Sequence, residues 1–210
     1  MSKNTYTTGK GIVGAYAFIT SPAKKYKSEE KEYKATVTIC KEDGEALIVE
    51  MENARNEFRK EYKKKKGKNL PNGDICKIKQ KGKIDEETGD FVADESGEYE
   101  VKLQKDVKKG SIKVIDSQLQ DVTNKISGIG EGSEVRCMLR ITCCEIGGKA
   151  LVTLTPIAVQ LLKLVEYGGV SDEEIASEFS VEDGYTFTAS EDKAEEGNEE
   201  TEEDDEEADF

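Results

Sequence analysis

Two stretches of alternating hydrophobicity, meeting at a double glycine, constrain this chain most. In 133–146, Val135, Cys137, Leu139, Ile141 and Cys143 take every second place, with Arg136, Met138, Arg140 and Thr142 between them. A period of two is that of a β-strand, so the first set shares one face and the second the other. Residues 149–165 form the second arm, and Gly147-Gly148 suits the tight turn of a hairpin. Pro156 cannot donate to a ladder, which predicts a bulge or an edge there. The apolar end of this arm, PIAVQLLKLV, reads as a last core strand, with a helix as the other reading.

Further segments repeat the pattern. GIVGAYAFIT (11–20) predicts a strand with Tyr16 and Phe18 on one face and Ala15, Ala17 and Ile19 on the other, closed by Pro22. KEYKATVTIC (31–40) alternates strictly, with Tyr33, Ala35, Val37 and Ile39 on one side and Lys34, Thr36 and Thr38 on the other. ICKIKQKGKI (75–84), EYEVKLQK (98–105) and SIKVID (111–116) are further strands. Between them lie an acidic hairpin loop, 85–97, turning at Gly89, and a lysine-bearing turn, 106–110. Residues 122–132 are loop. Gly44 marks a break, after which the period changes. Leu47, Met51, Ala54, Phe58 and Tyr62 recur every three or four residues, one face of a long amphipathic helix. Its end carries Lys60, Lys63, Lys64, Lys65, Lys66 and Lys68, where cations suit the helix dipole.

About seven strands and one long helix make the chain mainly β. The expected fold is an OB-fold, a five-stranded Greek-key barrel with extra strands, with an open sandwich as the rival. The expected domains are 1–170 for the barrel and 171–210 for an acidic linker and tail.

The net charge of −14 is unevenly placed. Residues 190–210 hold thirteen acids and one lysine, and cannot bury enough apolar surface to order themselves. Residues 1–170 carry 30 Lys and Arg against 26 Asp and Glu, a net of +4. A slightly basic body on a polyanionic tail points to nucleic-acid traffic. The chain has no histidine, which removes Ser-His and Cys-His nucleophiles. The five cysteines are odd in number and form no C-x-x-C pair, so they read as reduced thiols and not as a disulfide frame or zinc site. No phosphate-binding glycine motif is present. The chain is expected not to be an enzyme, to use no metal or cofactor, and to have no membrane span or signal peptide.

Several residues invite a ligand. Tyr16 and Phe18 could stack on bases, with Phe18 shared between that role and the core. Lys77, Lys79, Lys81 and Lys83 alternate in 75–84, which on a continuous strand gives a ladder of ammonium groups about 7 Å apart, suited to a phosphate backbone. Arg136, Met138 and Arg140 form a surface able to grip a base and its phosphates. Tyr33 and Lys34 join this candidate set.

The ordered series GAYAFITSPAKKY, KEYKATVTIC, the long helix, VTLTPIAVQLLKLVEYGG, DGYTFTAS and the terminal Asp209-Phe210 resembles the single-stranded DNA-binding replication proteins of T7-like bacteriophages. The resemblance implies an OB-fold that binds single-stranded DNA without sequence preference in replication, recombination and repair. It implies that Asp204, Asp205, Glu206, Glu207, Asp209 and Phe210 form a tail that competes with DNA and recruits the phage DNA polymerase and helicase/primase. The expected setting is the cytoplasm of the infected bacterial host, with a homo-oligomer as a further partner. The rival is an acidic DNA mimic or adaptor that binds basic proteins.

Overall fold

The computed structural model describes residues 4–86 and 88–166. The chain divides into two units, Met1–Gly169 and Val170–Phe210, and the described residues lie in the first.

The strands are β1 (Thr5–Thr7), β2 (Gly11–Val13), β3 (Phe18–Lys24), β4 (Lys31–Ile39), β5 (Asn72–Ile75), β6 (Ile78–Gln80), β7 (Gly82–Ile84), β8 (Phe91–Ala93), β9 (Tyr99–Asp106), β10 (Lys113–Ile115), β11 (Glu134–Ile146) and β12 (Lys149–Lys163). The helix α1 spans Lys41–Lys66, between β4 and β5. A single 3-10 turn, Val107–Lys109, follows β9.

Alternation explains the barrel. β12 pairs with β11, β11 with β2, β2 with β4, and β4 with β9. Segment 72–80 closes the circuit, because β5 pairs with β12 (Ile75 opposite Val152) and β6 with β9 (Ile78 opposite Val101). In chain order the five long barrel strands are β2–β3, β4, β9, β11 and β12. Their circular order is first, second, third, fifth, fourth, the OB arrangement of a partly open Greek-key barrel. Val13, Val37, Ile39, Val101, Leu103, Val135, Leu139, Val152, Leu154 and Val159 point inward and are essentially inaccessible. β10, parallel to β12, and β1, antiparallel to β11, are the extra strands.

The β11–β12 hairpin turns at Gly147 and Gly148, with φ of 58° and 75°, values that cost glycine nothing. The register slips where Met138 faces Ala158 and Leu139 faces Pro156, leaving Ile157 as the bulged residue beside the proline. That is the bulge Pro156 predicts, and the segment after it is strand.

The helix packs Leu47, Met51 and Ala54 against the barrel, each worth up to about 2–3 kcal/mol for the two larger side chains. Phe58 and Tyr62, further along the same face, pack with ring planes tilted by 48° and centroids 6.2 Å apart. Arg55 and Arg59 donate to the carbonyls of Gly73 and Leu70 and tie the following loop to the helix. Gly67, at φ 68°, ends the helix and donates its N–H to Lys63 O.

Three expectations need correction. Gly44 does not break the chain; it is a buried residue in the first turns of α1, with Tyr99 packed where a side chain would be. Residues 11–20 are two strands around a bend, and Pro22 lies inside β3. The β3–β4 register shifts between Phe18 and Ala23, so Pro22 falls in a stretch that needs no N–H. Residues 75–84 are not one strand: Lys77 adopts φ 70° and the segment breaks into pieces of β5, β6 and β7. The break occurs where the segment changes partner from β12 to β9. Among the described residues, no helix is long and apolar enough to cross a membrane.

Candidate nucleic-acid interface

The outward residues of the barrel strands form a row. Phe18 on β3 is opposite Lys34 on β4, and Lys34 is opposite Gln104 on β9. The Lys77 ammonium donates to Gln104 O at 3.1 Å and to Leu154 O at 3.0 Å, bridging β9 and β12 across the seam. Thr155, next to Leu154, is opposite Arg140 on β11. The row Phe18, Lys34, Gln104, Lys77, Thr155, Arg140 therefore crosses the outer wall, about 24 Å at the spacing of paired strands. Two hollows of about 350 and 300 Å³ lie along it and share Glu32 and Gln104.

Charge accumulates there. Lys34 sits 5.5 Å over the Phe18 ring, a cation–π contact. Lys102 lines the first hollow, and Lys105 and Lys109 line the second with Lys77. Among the described residues Lys34, Lys102, Lys105, Lys109 and Arg140 form no ion pair. Burial, then the nearby Lys109 charge, pushes the Lys77 ammonium below its ordinary pKa. Burial, then Arg140, does the same to Lys105. Lys77 and Lys105 are thus each opposed by burial first and then by one neighbouring cation, an opposition that an arriving polyanion would relieve. Glu32, 8 % exposed, accepts from Gln104 Nε2 at 2.8 Å and is the one carboxylate shared by both hollows.

Two aromatic residues flank the row. Tyr16 is 79 % exposed and held at φ 58°, a strained conformation for a bulky side chain. Such strain persists where the surroundings enforce it and is typical of functional positions. Tyr26 is 86 % exposed at the tip of the β3–β4 loop, with the Lys27 ammonium 5.1 Å from its ring. The loop is braced: Lys25 bonds both Glu30 and Asp106, and Lys108 bonds Glu30. Lys25 holds Asp106 below the usual carboxylate range, and Lys108 followed by Lys25 does so for Glu30.

The structure sorts the sequence candidates. Phe18, Lys34, Lys77 and Arg140 come together in the row, with Tyr16 beside it. Tyr33 does not reach it; it is 9 % exposed and belongs to the core, as its alternation with Ala35 and Val37 requires. The lysine ladder is lost with the strand: Lys79 pairs with Glu100 at 2.9 Å and Lys81 with Glu98 at 3.1 Å. Arg136 turns to Thr8 O at 3.3 Å. Met138 lines a groove of about 860 Å³ between β11 and α1 with Glu57, Phe58, Glu61 and Ile157, and Arg140 joins this groove to the end of the row. Asp204, Asp205, Glu206, Glu207, Asp209 and Phe210 lie outside the described residues. The sequence reading missed Lys102, Gln104, Lys105, Lys109 and Tyr26. For Tyr26 a signal existed, an aromatic residue among lysines in a turn; the others depend on register. Among the described residues no group of three or more Cys, Asp or Glu is placed to hold a metal ion.

No family model matches the chain, and no curated protein matches its sequence. Solved structures do match its fold. The single-stranded DNA-binding protein gp2.5 of bacteriophage T7 is 21 % identical, with a TM-score of 0.55, covering 89 % of this chain and 100 % of that one. The single-stranded DNA-binding protein of bacteriophage Enc34, in complex with single-stranded DNA, is 16 % identical with a TM-score of 0.53, covering 80 % of this chain and 91 % of that one. A second structure of the Enc34 protein gives a TM-score of 0.51 at 14 % identity, over 80 % of this chain and 86 % of that one. At these identities the likeness is one of fold: the chain has the OB-type barrel of phage single-stranded DNA-binding proteins.

Proposed function

We propose that this chain binds single-stranded DNA without sequence preference, in phage replication and recombination. The observation that carries the reading is the cationic row across β3, β4, β9, β12 and β11, flanked by exposed Tyr16 and Tyr26. Lysine and arginine at intervals track a phosphate backbone, and aromatic faces accept any base. The neighbours support it, since the Enc34 protein forms a complex with single-stranded DNA on the same kind of barrel.

The thirteen acids of 190–210 and the terminal Phe210 then act as a competitor for the row and as a docking tail for the polymerase and helicase/primase. The test is oligo(dT) binding by the full chain and by a chain lacking 190–210, across a salt series. The deletion is expected to tighten binding, most at low salt. Unchanged affinity removes the competition; no binding by either form removes the DNA-binding reading and favours an adaptor for basic proteins.

A further inference from the structure

The two ends of α1 carry opposite charge, and neither is used by the row. At the N-terminal end the β7–β8 hairpin stands off the barrel as its own two-stranded sheet. Lys81 N donates to Glu98 O and Asp94 N to Lys81 O, fixing its base beside β9. Gly97, at the end of that hairpin, packs on Lys41, in the first turn of α1. Residues 82–97 hold six acids and one lysine. The hairpin also exposes Ile84 and Phe91, which are cross-strand partners, at 59 % and 50 %. At the other end, residues 60–68 hold six lysines and one acid. Among the described residues, Lys60, Lys63, Lys64, Lys66 and Lys68 form no ion pair; Lys65 meets Glu61 at 3.9 Å. Beside them the α1–β11 groove of about 860 Å³ offers Phe58, Met138 and Ile157, with the charged Glu57, Glu61 and Arg140 also in its lining.

The patches are of equal and opposite charge, and the helix ends beside which they sit lie about 30 Å apart, since twenty residues separate Gly44 from Lys64. Within one chain they are too far apart to meet. We infer that they meet between chains: the acidic, apolar-faced β7–β8 hairpin of one copy docks on the lysine-rich end of α1 in the next, with Phe91 and Ile84 at the Phe58 groove. The contact joins two different surfaces, so it repeats instead of closing at two copies. The described acids of the hairpin meet the lysines at the end of α1, and the exposed apolar pair meets Phe58, Met138 and Ile157 in the groove. On the single-stranded DNA reading such a chain of copies would coat a strand side by side. The contact itself needs no DNA, so its test is separate from that reading.

The experiment is sedimentation velocity of the full chain without DNA, at low and high salt. The wild type is expected to show a sedimentation coefficient that rises with concentration past that of a dimer, and to lose the rise in 1 M salt, where screening extends over only about 3 Å. Two variants are compared: Lys63→Glu/Lys64→Glu/Lys66→Glu and Asp90→Lys/Asp94→Lys/Glu95→Lys. Each alone presents like charge at both ends and should remain monomeric; an equimolar mixture should regain association. The mixture also shows that both variants are folded. A monomeric wild type, association that stops at a dimer, or variants that associate as the wild type does would overturn the inference. Oligo(dT) affinity of the hairpin variant Asp90→Lys/Asp94→Lys/Glu95→Lys, which leaves every row residue and the groove unchanged, is measured in parallel and reports on the DNA-binding reading.

Discussion

Lys77 separates a structural role from a binding one. Its ammonium donates to Gln104 O and Leu154 O, on the two strands that would otherwise leave a seam in the barrel. Hydrogen bonds from a charged donor contribute about 1.5–3 kcal/mol each. Desolvation of the half-buried ammonium, seen in its lowered pKa, offsets part of that. Water can also replace part of the bonding at the seam, which leaves a net loss of about 2 kcal/mol for Lys77→Met. At a urea m-value of about 2 kcal/mol/M the midpoint should fall by about 1 M. Lys77→Gly loses the same bonds but relieves the left-handed backbone at φ 70°, which recovers about 1 kcal/mol. The glycine variant should therefore fall about half as far. The assay is urea unfolding followed by circular dichroism. If Lys77→Met leaves the midpoint unchanged while DNA affinity drops, the lysine is a free phosphate ligand and the seam argument is refuted.

Tyr16→Gly should raise stability by about 1 kcal/mol by relieving φ 58°, and should weaken oligo(dT) binding by the about 1–3 kcal/mol of a base stack. Calorimetry and fluorescence titration read the two effects; a loss of stability would mean that the tyrosine is held by packing. Gly44→Ala drives a Cβ into the ring and root of the Tyr99 side chain and should cost about 1–3 kcal/mol by thermal unfolding. Gly67→Ala, with nothing within 4 Å, should cost only the left-handed penalty of about 1–2 kcal/mol. For Glu30 and Asp106 the folded pKa values are lowered, so the bracing of the β3–β4 loop is complete above their ordinary values of 4.5 and 3.8. It is lost as pH falls through the lowered folded values. Amide protection factors in 25–30, taken relative to the intrinsic exchange rate at each pH, should fall only in that acid range, and a fall near neutral pH would contradict the bracing.

The β11–β12 hairpin, the helix and the β4 faces were legible because each has one period over many residues. Alternation also placed Tyr33 inward, and its place among binding candidates contradicted its own face. What alternation cannot encode is which strand lies alongside. Lys102 and Gln104 gain their place from facing Thr36 and Lys34, a register set by folding. Lys77 to Lys83 show the same limit in reverse: the spacing is that of a strand, but the segment serves two partners and must bend between them. The bend at Tyr16 had no signal either, since residues 14–17 contain a glycine and two alanines that fit a strand equally well.

The central claim is that the row from Phe18 to Arg140 holds a phosphate backbone. The most direct test is the salt dependence of oligo(dT) binding by the wild type and by Lys34→Ala/Lys102→Ala/Arg140→Ala. Each phosphate left without its cation should reduce the slope of log K against log salt by about 0.7, so the triple variant should be shallower by about 2 and weaker at low salt. Wild-type binding whose slope the triple variant leaves unchanged would contradict the account, and place the DNA elsewhere on the barrel.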